Sequence, residues 1–240
     1  MKIKAIMPDR DRDRTTLDAR EKMLSAALSS DVVLSVDNVK IGPDNSDTYT
    51  DAVFASPDMI RQCVKAEDEG FDAIVVYCFD DVAIDAIREN VTVPVIGPGE
   101  TALAIAGMMF TRFIVATSSP ELVRPLHRNL MKHPAAREKM TSVRALDIPL
   151  TMLRADPGAT ERRLLEVCRD AAREERIDGV VLGCLGMATY GKSVEETLDI
   201  KVLDPAFISV AFAEMSARLH LSHTNTTYPR FTNQNNLDIR

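Results

Sequence analysis

Two stretches of this chain, FDAIVVYCFDD (71–81) and IDGVVLGCLGM (177–187), carry one pattern: an apolar residue, an Asp, a small residue, an apolar run, and a cysteine followed by another apolar residue. The spacing is the same in both, Asp72 to Cys78 and Asp178 to Cys184. Around them, short β-branched runs alternate with helical stretches, the pattern of a mainly parallel sheet covered on both faces. The expected order begins with strand 3–7, helix 16–28, strand 32–39, a loop over 41–51, helix 57–69, strand 73–77, helix 81–89, strand 93–96 and helix 99–109. It then restarts with strand 112–117, helix 119–131, strand 143–148, helix 159–175, strand 179–183, a short helix 189–197, strand 200–203 and helix 206–219.

A true internal duplication keeps its landmarks in register. Cys63 and Cys168 are 105 residues apart, Asp72 and Asp178 are 106, Cys78 and Cys184 are 106, and Pro98 and Pro205 are 107. The second strands, ending at Val39 and Ile148, are 109 apart. The expected fold is therefore α/β, with two pseudo-symmetric βα halves, each a four-stranded mainly parallel sheet flanked by helices. Open parallel sheets bind ligands beyond the carboxyl ends of their strands, where both Cys78 and Cys184 fall, so the active site is expected in the cleft between the halves.

Composition narrows the partners. With 45% apolar and 27% charged residues over 240 positions, the chain can bury a sizeable core as one large domain or two tightly joined ones. A formal net charge of −7 and the lack of a Lys/Arg-rich stretch argue against nucleic acid or a membrane surface as partner. The start, MKIKAIMPDR, reads as neither signal peptide nor membrane span, which makes the cytoplasm the expected location. Four cysteines without a C-x-x-C spacing are expected to be reduced thiols, not a disulfide framework or a metal site.

The four cysteines divide into two pairs. Cys63 shares a helical face with Met59 and Ile60, and Cys168 with Leu164 and Leu165, so both belong to the core. Cys78 and Cys184 each end an apolar strand just before a turn and helix, where backbone amides favour a thiolate. Two thiols on opposite faces of a substrate suit inversion at a carbon acid: one thiolate removes the proton next to a carbonyl and the other thiol returns one from the far side. Thr117, Ser118 and Ser119, in VATSSPEL (115–122), offer hydroxyls and amides to a carboxylate or imide oxygen, or simply cap a helix. The equivalent corner, IMPDRDRDRTT (6–16), is either a solvated loop or a lid in which an Arg meets an anionic substrate.

Together with VPVIGPGETALAIA (93–106), GCLGM (183–187) and LSHTNTTYPR (221–230), the two cysteine strands resemble the aspartate/glutamate/hydantoin racemase superfamily, most of all its hydantoin and allantoin racemase branch. The resemblance runs over nearly the whole chain. IGPGE matches the branch's Ile-Gly-x-Gly-Glu through Ile96, Gly97, Gly99 and Glu100, and GCLGM differs from the usual Gly-Cys-Ala-Gly-Met only at Leu185. After the first cysteine the branch has Phe-x-Asp-Pro-Gly-Leu; here Phe79 and Asp81 are kept, with Val82 and Ala83 in place of Pro-Gly.

The resemblance implies a racemase or epimerase with no cofactor and no metal, acting on a small amino-acid-derived molecule with Cys78 and Cys184 as the two bases. Substrate-binding positions follow: Thr117, Ser118 and Ser119 for a carboxylate or ring carbonyl, Tyr49 at the end of a shortened loop, and Phe79, Asp80, Leu185 and Gly186 as the unlike walls beside the two thiols. It also implies domains of 1–97 plus 206–240 and of 98–205, and a homo-oligomer. One departure bears on the substrate. Where the branch carries Asn-Pro-Asn-Thr-Ser after the first strand, this chain has Met7-Pro8-Asp9-Arg10-Asp11, which gives Asp9 and Arg10 a place in recognition and opens a second carboxylate to Arg10, Arg12 or Arg14. Two other readings stand beside racemisation: cis-trans isomerisation or decarboxylation of a small dicarboxylate on the same scaffold, and a non-catalytic two-lobed binding protein.

Overall fold

The computed structural model describes residues 1–10, 12–123, 126–127, 131 and 133–231. Two compact units emerge, Met1–Pro98 together with the chain from Ser209 onward, and Gly99–Ile208.

The first unit holds β1 (Lys2–Met7), α1 (Arg14–Ser25), β2 (Val33–Asn38), α2 (Tyr49–Asp68), β3 (Ala73–Val76), α3 (Ile84–Arg88) and β4 (Val95–Ile96). Its four strands are all parallel, in the order β2-β1-β3-β4, with Ile3 beside both Leu34 and Ala73. The chain enters the second unit through α4 (Pro98–Met109), which leads to β5 (Phe113–Thr117), α5 (Pro134–Arg137), β6 (Met140–Ala145), α6 (Pro157–Glu175), β7 (Gly179–Leu182), α7 (Lys192–Leu198) and β8 (Lys201–Leu203). Here the parallel order is β6-β5-β7-β8, the same permutation. A last helix, α8 (Pro205–Arg218), starts in the second unit and ends in the first, where Glu214 accepts the N–H of Ser29 and Arg218 pairs with Asp31. Among the described residues no helix is long and apolar enough to cross a membrane.

Burial explains which strands are central. β3, β5 and β7 are buried at every residue, as strands covered on both faces require, whereas the edge strand β2 alternates. Cys63, with Met59 and Val64, lies in the core of the first unit, and Cys168, with Leu164 and Val167, in that of the second.

The repeated aspartates have the same job in each unit. Asp72 Oδ2 accepts the N–H of Lys2 at the start of β1, and Asp178 accepts those of Thr111 and Arg112 just before β5. Each carboxylate ties the third strand of its unit to the first at the amino edge of the sheet, so the duplicated stretch carries a structural end and a cysteine end.

Several boundaries differ from the sequence expectation, each for a local reason. Helix α2 begins at Tyr49, because Thr48 and Asp51 form a reciprocal capping box; Pro57, the expected start, lies in its third turn. Helix α3 is only Ile84–Arg88, because Asp81 and Ala83 take left-handed φ of 52° and 59°. Strand β6 starts earlier than expected, at Met140, yet Leu146 and Ile148 beyond it still donate to the carbonyls of Thr117 and Ser118. Of the helix expected over 119–131, Pro120–Leu122 form a 3-10 turn, and positions 124, 125 and 128–130 lie outside the described residues. The helix expected from 189 begins at Lys192, after a 3-10 turn at Leu185–Met187.

Candidate functional site

In the first unit, Cys78 follows β3 in a tight turn in which its N–H donates to the carbonyl of Val76 and its own carbonyl accepts from Asp81. It is half-buried and packs against the core beneath. Phe79 is buried beside it and Asp80 is half-buried. The loop then turns through left-handed Asp81, whose carboxyl lies so close to Gly97 that a Cβ there would come within 2.6 Å of Asp81 Cγ. Glycine at 97 is what gives that carboxyl its room.

The β1–α1 corner joins the same edge of the sheet. Asp9 is buried and its carboxylate is taken up by Arg12, through Nε and Nη2 at 3.2 and 2.8 Å. Arg10 donates instead to the exposed carboxylate of Asp44, and Arg14 lies on α1 with Asp18 and Glu21. Tyr49, the first residue of α2, is 38% exposed.

In the second unit, Gly183 donates to the carbonyl of Ala116 at 2.6 Å, which brings the end of β7 against the end of β5. Cys184 comes next and is half-buried at the head of the Leu185–Met187 turn, with its carbonyl accepting from Met187. A Cβ on Gly186 would stand 3.3 Å from Cys184 Sγ and 3.0 Å from Leu153 Cδ1, so any side chain there would crowd the thiol. At the neighbouring strand end, Thr117 and Ser118 are fully buried, their carbonyls accept from Leu146 and Ile148 just beyond β6, and their hydroxyl oxygens have no hydrogen-bond partner among the described residues. Buried hydroxyls are nearly always satisfied, so two such oxygens side by side are unusual. Ser119 is half-buried; the backbone N–H of Glu121 and, after it, the Ser119 hydroxyl hold the Glu121 carboxyl below its ordinary range.

Cysteine environments separate along the same line. Among the described residues none forms a disulfide. Burial raises the Cys63 thiol far above its ordinary pKa and pushes Cys168 up to about 12, so neither is a thiolate near neutrality. Cys78 and Cys184 are the two that keep access to solvent.

Sequence reasoning did not reach Asp204. Its carboxylate follows β8, accepts the N–H groups of Thr189 (2.8 Å) and Ala206 (3.1 Å), and so ties the loop after Cys184 to the first turn of α8. Burial raises its pKa in spite of those donors and the charge of Arg154. The Asp-Pro at 204–205, an N-cap followed by proline at the first helical position, was the available signal.

Two equivalent parallel α/β units make up a fold that this chain shares with solved racemases. The allantoin racemase structure from Klebsiella pneumoniae superposes with a TM-score of 0.87 over 98% of each chain at 24% identity. By sequence, the hydantoin racemase of Pseudomonas sp. (strain NS671) is 31% identical over 217 residues, covering 89% of this chain and 85% of that protein. The hydantoin racemase of Rhizobium meliloti is 32% identical over 200 residues, covering 82% and 83%. The profile of the family described as Asp/Glu/Hydantoin racemase matches residues 15–213. The chain belongs to the Asp/Glu/hydantoin racemase family, and its racemase relatives support an isomerase.

Proposed function

We propose that this protein racemises a hydantoin-class substrate, a five-membered cyclic ureide with an acidic carbon beside a ring carbonyl, by a two-thiol mechanism. The observation that carries the reading is the equivalent placement of Cys78 and Cys184, each directly beyond the third strand of its unit and half-buried, while the other two cysteines are core residues. The names of the curated relatives support the substrate class.

In the proposed reaction, one cysteine as thiolate takes the proton from the acidic carbon and becomes a thiol. The electron pair moves onto the adjacent carbonyl oxygen, and the hydroxyls of Thr117 and Ser118 donate to the resulting oxyanion. The other cysteine, as thiol, gives its proton to the opposite face of the carbon and is left as thiolate. For the mirror-image substrate the roles exchange, and both proton transfers are supplied by the protein without a cofactor.

The test is α-proton exchange in heavy water, followed by NMR on single enantiomers of 5-substituted hydantoins, allantoin, amino acids and substituted dicarboxylates, for the wild type and for Cys78→Ser and Cys184→Ser. Each variant should lose racemisation by at least about 10²-fold, with exchange of one enantiomer surviving in each and the surviving enantiomer opposite between the two. Racemisation at the wild-type rate in either variant overturns the two-base assignment, and exchange only with amino acids or dicarboxylates overturns the substrate class.

A further inference from the structure

The sequence DRDRDR (9–14) leaves three arginines at the edge of the first sheet, and the structure treats them differently. Arg10 pairs with Asp44, with the two side chains 45% and 73% exposed. Arg14 is 57% exposed and belongs to the surface charges of α1. Arg12 is 30% exposed and is held by acceptors from two loops: its Nε and Nη2 on Asp9 Oδ2, and Nη2 also on the carbonyl of Asp44 (3.0 Å) and on Asn45 Oδ1 (2.8 Å). Both loops leave the carboxyl ends of strands, β1 for Asp9 and Arg12 and β2 for Asp44 and Asn45, the edge where open parallel sheets take their ligands.

A guanidinium has five N–H groups in a rigid plane. Those on Nε and Nη2 face acceptors of the protein, and fixing them fixes the plane. The remaining nitrogen, Nη1, has no acceptor among the described residues. Asp9, 13% exposed on its side chain, balances the charge, so what the site offers is a directional pair of donors more than a diffuse positive field. This is an arrangement for reading the shape and charge of one group at short range.

We propose that Arg12 is a specificity-determining residue whose Nη1, oriented by Asp9 and Asn45, binds a carboxylate on the substrate's side chain, so that the preferred substrate is a hydantoin bearing an anionic substituent at C5. The hydantoin part rests on the racemase reading above; recognition of the carboxylate does not require turnover. Because the local charge is balanced, the preference depends on geometry: a lysine at the position keeps the charge but loses the planar fork and most of the discrimination.

Calorimetric titration of the full-length protein with 5-carboxymethylhydantoin and its neutral isostere 5-carbamoylmethylhydantoin tests this directly. The wild type should bind the acid at least about tenfold more tightly than the amide, as a charge-assisted hydrogen bond provides. Arg12→Gln and Arg12→Lys should lose that preference, bringing the two Kd values to within about threefold of each other. Equal affinity of the wild type for the two ligands, binding of neither, or a preference that survives in a folded Arg12→Gln overturns the proposal. The wild-type comparison needs no variant, so misfolding of one cannot hide the answer. Exchange measured on the same samples separates the two readings: discrimination without exchange of the C5 proton overturns the racemase reading and leaves the carboxylate site standing.

Discussion

The carboxylate of Asp204 accepts the backbone N–H of Thr189 at 2.8 Å, across the gap between the loop that follows Cys184 and the start of α8. Thr189 is held there with a left-handed φ of 80°, a conformation that costs free energy in a β-branched residue and persists only when its surroundings enforce it. Burial raises Asp204 above its ordinary value of 3.8, so by linkage the folded state is favoured most when the carboxyl is protonated, and that contribution is lost as pH rises from below 3.8 through the folded pKa. Asp204→Asn removes this dependence. Its melting temperature relative to wild type should therefore become more favourable as pH rises from about 3 to 7, while exchange activity falls about tenfold or more because the loop after Cys184 loses an acceptor. A pH-independent difference in melting temperature together with unchanged activity would remove Asp204 from the site.

Thr117 gives the opposite pairing of effects. Its hydroxyl is fully buried and has no hydrogen-bond partner among the described residues, so Thr117→Val keeps the shape and deletes a desolvated polar atom. Stability should rise by about 1 kcal/mol, since an unsatisfied buried hydroxyl costs about 1–3. Activity should fall, because the oxyanion loses a donor, by about 10-fold to 10²-fold in kcat. Thermal melts and exchange rates on the same preparation check both, and a variant that is less stable but equally active would mean the hydroxyl is structural.

How far the sequence disclosed this molecule depends on the reach of each interaction. The central strands were legible because burial on both faces writes a continuous apolar run, and Cys63 and Cys168 because a helix face shows in the spacing of Met59 and Leu164. The equivalence of Cys78 and Cys184 followed from the repeat. The role of Asp72 and Asp178 did not: their partners, Lys2 and the Thr111–Arg112 pair, lie about 70 residues away in sequence and are reached only by the strand order. The hold on Arg12 by Asp9, Asp44 and Asn45 was likewise hidden, because it depends on the β2–α2 loop coming to the β1–α1 loop. Pro57 misled on the start of α2, since a proline so often opens a helix and here stands inside one that Thr48 and Asp51 had already begun.

Asp178 supplies a pH test of the repeat. Burial opposes its charge, but the backbone N–H groups of Arg112 and Thr111 outweigh that and hold its carboxyl below the ordinary 3.8. A depressed folded pKa contributes stability that is present above 3.8 and lost as pH falls through the folded value. Asp178→Ala should therefore cost about 0.5–1 kcal/mol at neutral pH, solvent screening of the exposed carboxylate keeping the figure small, and the gap to wild type should close as the pH is lowered below about 4. Denaturant titrations at neutral pH and at pH 3 would show it; a gap that widens in acid would contradict the assignment.

Ala83 stands with φ of 59° in the turn that leads from Cys78 into α3. A left-handed alanine costs roughly 1–2 kcal/mol, and glycine avoids that while giving up about 0.5–1 in chain entropy. Ala83→Gly should therefore stabilise by about 0.5–1 kcal/mol, a rise of about 1–4 °C in melting temperature for a protein of this size. A fall in melting temperature would mean that the packing of the Ala83 methyl on the first core outweighs its backbone strain.

Thiol chemistry checks the division of the cysteines independently of any substrate. Cys78 and Cys184 keep solvent access, whereas Cys63 and Cys168 are fully buried, and with its pKa near 12 Cys168 at pH 8 would be thiolate only about one part in 10⁴. Iodoacetamide at pH 8 should therefore modify two thiols of the native protein, located by peptide mapping at Cys78 and Cys184. The other two should react only on addition of denaturant. Cys78→Ser and Cys184→Ser should each reduce the native count to one, and blocking either thiol should end racemisation with the loss tracking modification one for one. Native labelling of Cys168 at the rate of Cys184 would show that the second core opens far more readily than its packing around Leu164 and Val167 implies.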